Sequence, residues 1–318
     1  MLHLRISVPA ALTEPVLDVL AKDPAVSSVA VFEGASRLPV GDVVTADLAR
    51  EGANECIDAL RALGAAHEGT VHVDPVPTWV SEAGLDAERR TPGRSTDAVV
   101  WAEVTQRAYD ETELNWTYLA FMTFATVLAS IAVVLDSQIL VIGAMVLGPE
   151  FVALAAIGVA LVRHRTGLVQ RAATTLVVGI GFAIAVTTVL SLLARWLGWI
   201  VLADITGDRP GTAFIYTPDR WSFVVALIAA SAGVLSLTSS KVGGLSGVFI
   251  SVTTVPAMGN IALGLTFGAW GEVWGSAQQL ALNIGGMVLA GWLTLLVQQT
   301  FWQRRAARRE RLLGIAGG

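Results

Sequence analysis

Cysteine is almost missing from this chain: Cys56 stands alone among 318 residues. One thiol excludes an intrachain disulfide and cannot build a thiolate metal site. Histidine is scarce too, with four in all, and none lies inside an apolar run to activate a buried hydroxyl. His67 and His72 are too far apart for a helical ligand pair, so no metal site and no cofactor are expected. Charge is the most telling shortage. Charged residues make up 15% of the chain and hydrophobic ones 54%, where soluble proteins carry about a quarter charged. A formal net charge of −5 gives no footing to a nucleic-acid partner. The start, Met1-Leu2-His3-Leu4-Arg5, lacks the basic-then-apolar plan of a signal peptide. No aspartate pair occurs at span depth either, and an intramembrane enzyme is not expected.

What charge there is lies unevenly. Residues 1–115 hold most of the acids, whereas 116–303 is nearly charge-free. The expectation is a soluble head at 1–78, a linker at 79–97 and an amphipathic helix at 98–115. A transmembrane domain at 116–303 and a basic tail at 304–318 follow. In the head, Leu2, Leu4, Ile6 and Val8 alternate with polar residues, the period of a half-buried strand. Thr13 offers a helix cap with Pro15 in the first turn, and Val16, Leu17 and Leu20 form a stripe. Two further β-rich runs follow, through Val29 and Val31 and through Val44, Ala46 and Leu48. A helix with Cys56, Ile57, Leu60 and Leu63 then stops at Gly64, and a strand with Val71 and Val73 closes the set. The order β-α-β-β-α-β predicts a ferredoxin-like α+β domain with a polar sheet face at His3, Arg5, Thr45, Asp47 and His72. The amphipathic helix, with Val100, Trp101, Val104 and Ala108, suits a membrane surface, a neighbouring subunit or the head itself.

About six spans fit the rest, near 116–135, 138–162, 170–195, 221–239, 245–268 and 277–301. Tryptophans such as Trp116, Trp196, Trp221 and Trp270 fall near their ends. Arg163, Arg165 and the tail arginines Arg304 and Arg305 mark the cytoplasmic side, which predicts a multi-pass protein of the cytoplasmic (inner) membrane with both termini cytoplasmic. The second span carries Gly148-Pro149-Glu150 at its centre, and the fifth carries Pro256, 107 residues later. Proline breaks a helix, and a shift of 107 also lays span one on span four. Three spans per half is an odd number, so the predicted architecture is an inverted 3+3 repeat with two proline-broken helices.

The run Gly143-Ala144-Met145-Val146-Leu147-Gly148-Pro149-Glu150-Phe151 has a wider meaning. With Leu135-Asp136-Ser137, Val255-Pro256-Ala257 and Asn283, it resembles the signature of a bacterial and archaeal membrane family, domain of unknown function 389. The resemblance spans most of the chain, including a cytosolic head. It implies a membrane protein and supplies no reaction.

Helix breaks at mid-membrane depth must face protein or water, and an ionisable residue there marks a functional site. Gly148, Pro149, Glu150, Ser251, Thr253, Thr254, Pro256, Asn260 and Asn283 are the expected lining of a polar cavity. Glu150 is its candidate cation ligand or proton-coupling carboxylate. The reading is a transporter or channel-like protein for a small solute or ion, regulated by its head. The alternative is a sensor or lipid-binding scaffold that uses Arg163, Arg165, Arg304 and Arg305 on lipid headgroups. In the bland alternative Glu150 only bonds carbonyls freed by Pro149, and the glycines only allow close packing. Small-residue faces on several spans suit a homo-oligomer surrounded by membrane lipids.

Overall fold

The strand period at the start of the chain is realised in a computed structural model that describes residues 1–91, 99–215, 220–238 and 254–312, with the side chains of Ser222, Leu237 and 302–312 outside it. The chain divides into a head, residues 1–104, and a helical unit within 105–302.

In the head, β1 (Leu2–Val8), α1 (Ala10–Lys22), β2 (Val26–Arg37), β3 (Val40–Leu48), α2 (Ala53–Ala62), the short α3 (Ala65–Glu68) and β4 (Thr70–Pro75) follow in order. The sheet runs β2-β3-β1-β4, with every neighbouring pair antiparallel. Leu2, Leu4, Ile6 and Val8 form one core with Val16 and Leu20 of α1 and Ile57 and Leu60 of α2. On the polar face His3 Nδ1 donates to Asp47 at 2.7 Å, and Arg5 pairs in register with Thr45 and His72. Gly64 ends the α2 region at φ 83°, a conformation that a Cβ disfavours.

Two local expectations give way. The helix α1 begins at Ala10, behind Pro9, so Thr13 is not its cap and Pro15 lies inside it. The Thr13 hydroxyl goes across the fold instead and donates to Asp42 at 2.6 Å. The segment read as an exposed linker contains a helix, α4 (Glu82–Arg90), whose cap Ser81 accepts from Gly84 N at 3.1 Å. Serine before an acidic first turn is a start signal that the surrounding prolines and arginines obscure. Next comes α5 (Trp101–Glu111). Its first turn is held by the head, since Asn54 donates to Val99 O at 2.7 Å and accepts from Trp101 N at 3.0 Å. Arg50 also meets Glu103 at 2.7 Å.

The helical unit contains α6 (Trp116–Val134), α7 (Gln138–Leu147), α8 (Glu150–Val162), α9 (Thr166–Trp196), the short α10 (Ala203–Thr206), α11 (Arg220–Thr238), α12 (Thr254–Phe267) and α13 (Trp270–Leu312). By length and composition α6, α9 and the Trp270–Phe301 part of α13 can each cross a membrane, and α7 with α8 makes a fourth candidate bent by 53°. The apolar stretches Phe223–Ser236 and Thr254–Phe267 are shorter. Several helices this apolar make it a membrane protein. The expected fifth span lies partly outside the described residues.

Sharp reversals join these helices by one device. A left-handed residue follows the helix, and the next N–H reaches back five residues. Asp136 (φ 46°), His164 (φ 52°) and Gly268 (φ 68°) hold those positions. The closing bonds are Ser137 N to Ala132 O at 2.9 Å, Arg165 N to Ala160 O at 2.8 Å and Ala269 N to Gly264 O at 2.8 Å. These tight turns force α6 and α7, α8 and α9, and α12 and α13 to run back on each other.

Candidate functional site

The helix α7 opens with Ser137 as its cap and ends where Gly148 turns extended, at ψ 122°. Pro149 has no N–H to continue α7 and becomes the cap of α8, leaving Glu150 as its first residue. Glu150 is fully buried. The described part of α12 runs from Thr254, with Pro256 as its third residue. Every residue from Thr254 to Asn260 is buried.

Gly148 and Thr254 lie near one depth, for which α6 is the ruler. In α7, which runs back along α6, Gly143 faces Leu128; a Cβ there would stand 3.8 Å from its Cδ2. Gly148 lies five residues further on, about 7.5 Å along the axis. In α12, Gly259 packs against Ala129 and Ser130, with Leu263 beside Ala132 and Val133. Thr254 lies five residues back from Gly259, again about 7.5 Å. Both counts end near Ala125. Leu147, Val255 and Leu280 accordingly pack in one apolar cluster with Met122 and Ala125.

Toward the other end of α12 the site is charged. Arg209, from the segment after α10, is 5% exposed. It donates to Asn260 Oδ1 at 3.2 Å and to Glu272 at 2.8 Å. Asn260 Nδ2 donates in turn to Glu272 and to Ser276 Oγ, both at 2.8 Å. Beside this cluster Asp136 accepts from the Thr212 hydroxyl at 2.8 Å and from Gly211 N at 3.1 Å. Those bonds, the Thr212 one foremost, hold its carboxyl below the usual carboxylate range. Arg195 donates to Thr266 O at 2.7 Å and lies over the Phe267 ring, which places a cation at the carbonyl end of α12.

The polar route continues along α13. Glu272, Ser276, Gln279 and Asn283 are spaced by four, three and four residues, which puts them on one helical face about 16 Å long. Ser276, Gln279 and Asn283 are fully buried. The Asn260–Ser276 bond, together with Gly264 against Val273, fixes the antiparallel register of α12 and α13. Gln279 is therefore abreast of Ala257, and Asn283 of Thr254. Most hydroxyls in α6 are spent locally: Thr123 and Thr126 each donate at 2.7 Å to the carbonyl four residues back. Gln279 differs, because neither its amide nitrogen nor its oxygen meets a hydrogen-bond partner among the described residues. Burying an amide in that state costs about 1–3 kcal/mol.

Of the residues expected to line a cavity, Gly148 and Thr254 share a depth, Pro149, Glu150 and Pro256 lie within about one helical turn of it, and the helix register adds Asn283. Asn260 belongs to the charged cluster. Ser251 and Thr253 lie outside the described residues. Arg163 caps the end of α8, and Arg165 starts α9 with its side chain exposed. The side chains of Arg304 and Arg305 are outside the described set. Arg209, Glu272 and Gln279 escaped the sequence reading, which took the first two for loop charges. The signal that could have found Glu272 and Gln279 is their four-three-four spacing with Ser276 and Asn283. Nothing in the local sequence around Arg209 announces its burial.

The uncharacterised protein MJ0678 of Methanocaldococcus jannaschii is 24% identical over 269 residues, covering 81% of this chain and 78% of that protein. No solved structure matches the chain. Residues 145–289, from the end of α7 to the middle of α13, match one family model. That family is described as Domain of unknown function (DUF389), and it is the one the Gly-Pro-Glu run resembles.

Proposed function

We propose that this protein is a transporter or channel-like pore for a small solute or ion, with six spans in two inverted halves and a regulatory head. It resides in the cytoplasmic membrane with both termini on the cytoplasmic side, as Arg163 and Arg165 at the α8–α9 turn favour. The observation that carries the reading is the common depth of the two proline segments, with Glu150 and Thr254 fully buried there. Helices that start inside a bundle aim N–H groups and partial positive charge at whatever enters, and paired interruptions of this kind build central transport sites. The inverted halves draw support from the matching reversals at His164 and Gly268, each following the helix that its proline begins. Glu150 sets the halves apart, since Ala257 is its counterpart. It acts as cation ligand or proton carrier.

The test is uptake or current in proteoliposomes with wild type and Glu150→Gln. A loss of rate, or of its pH dependence, is expected. An unchanged rate with an unchanged pH profile would remove Glu150 from the mechanism.

A further inference from the structure

On the α13 face Gln279 is buried with neither end of its amide bonded among the described residues. Ser276, one turn before it, bonds Asn260, so this face of the helix looks toward α12. Leu280, next in sequence, packs against the apolar cluster that holds Val255 and that Leu147 also packs against. The Thr254 hydroxyl, like the Gln279 amide, is buried with no hydrogen-bond partner among the described residues. Asn283 is abreast of Thr254 and one helical turn from Gln279.

We infer that Gln279, Thr254 and Asn283 form a binding site for a dehydrated monovalent alkali cation at the depth of the proline segments. This deepens the transport reading and rests on it only for the claim that the ion moves. The donors are two amide carbonyl oxygens and a hydroxyl oxygen, neutral hard ligands that suit alkali ions. Helix α7 ends at the same level, and the last turn of a helix presents carbonyls, a further ligand of that type. Zinc and calcium call for imidazole, thiolate or several carboxylates. No group of three or more His, Cys, Asp or Glu gathers among the described residues. An anion meets an unsuitable partner, because the Glu150 carboxyl lies near this depth and Arg209 is held by Glu272. The amide of Gln279 stays buried because the ion, not water or a neighbouring helix, completes its bonding.

The experiment uses the full-length protein in lipid nanodiscs. Lithium, sodium and potassium chloride are titrated against choline chloride at constant ionic strength. The unfolding midpoint and the binding of radiolabelled sodium and rubidium by equilibrium dialysis are read. An alkali ion should raise the midpoint saturably where choline does not. Gln279→Leu and Thr254→Val should each weaken binding about tenfold or more, the effect of losing one charge-assisted partner. Equal midpoints in alkali and choline salts together with no dialysable ion would overturn the site, as would wild-type affinity in both variants. Should Gln279→Leu not fold, wild-type dialysis and Thr254→Val decide alone. Ion binding without uptake in proteoliposomes keeps the site and sinks transport. Uptake without alkali-ion binding sinks the site alone.

Discussion

Arg209 and Glu272 meet at 2.8 Å with the arginine side chain only 4% exposed, although they lie 63 residues apart in sequence. Asn260 bonds both partners, so one neutral amide ties α12 to this ion pair. A guanidinium this buried is tolerable only while its partners remain, and the structure answers that need with a carboxylate and an amide oxygen.

Removing one partner should therefore cost more than removing both. Glu272→Ala leaves the buried Arg209 uncompensated and should destabilise by about 3–5 kcal/mol. The double variant Arg209→Met/Glu272→Leu should recover most of that. Chemical or thermal unfolding in a mild detergent measures both. Additive losses in the double variant would contradict the coupling.

Gly259 brings α12 close against α6. A Cβ there would stand 2.8 Å from Ser130 N and 3.0 Å from the Ala129 carbonyl carbon, both backbone atoms that cannot swing aside. Gly259→Ala should cost about 1–3 kcal/mol by forcing the helices apart. Gly285→Ala on α13 meets nothing within 4 Å and should be neutral or slightly stabilising through helix propensity. Midpoints of the two variants, compared side by side, check the contrast.

The Asp42 carboxylate of the head is held below its ordinary pKa, first by the Thr13 hydroxyl and then by the Gly34 N–H at 2.8 Å. A pKa lower in the folded state gives stability that is present above the unfolded value, about 4. That stability is lost as the pH falls through the folded value. Thr13→Val removes the larger cause, so the variant head should be less stable than wild type at neutral pH, with the difference shrinking as the pH falls through the folded value. Amide hydrogen exchange of β1 and β3 across the acid range provides the readout.

Cys56 packs in the head core, and burial pushes its thiol up to about 12. The thiolate is the reactive form, so native protein at pH 8 should resist a maleimide and label only once unfolded. Rapid native labelling would show that α2 opens far more readily than its packing indicates. Cys56→Ser should lower the head's stability by about 1 kcal/mol or more, since it puts a hydroxyl among apolar side chains.

Several elements could be read directly from the chain. Alternation at Leu2–Val8 found β1, the stripe through Ile57 and Leu60 found α2, and Gly64 closed it. Pro149 broke its span where proline must. The start of α1 was missed because Thr13 can serve as a cap or as a donor to Asp42, and a bond to a partner 29 residues away is invisible locally. The helix at Glu82–Arg90 was missed because its residues carry loop-like composition while its cap, Ser81, is a single side chain.

The sequence by itself determined the division into head and membrane helices, the bend at Gly148-Pro149 and the burial of an acid behind it. These depend on period, apolar length and the missing proline N–H, all properties of neighbouring residues. Only the tertiary structure decided which groups share a depth and which ions pair. Thr254 joins Glu150 because α6 measures both proline segments. Arg209 leaves its loop for Asn260 and Glu272 because a buried cation needs oxygen ligands, and the fold brings those from 51 and 63 residues away.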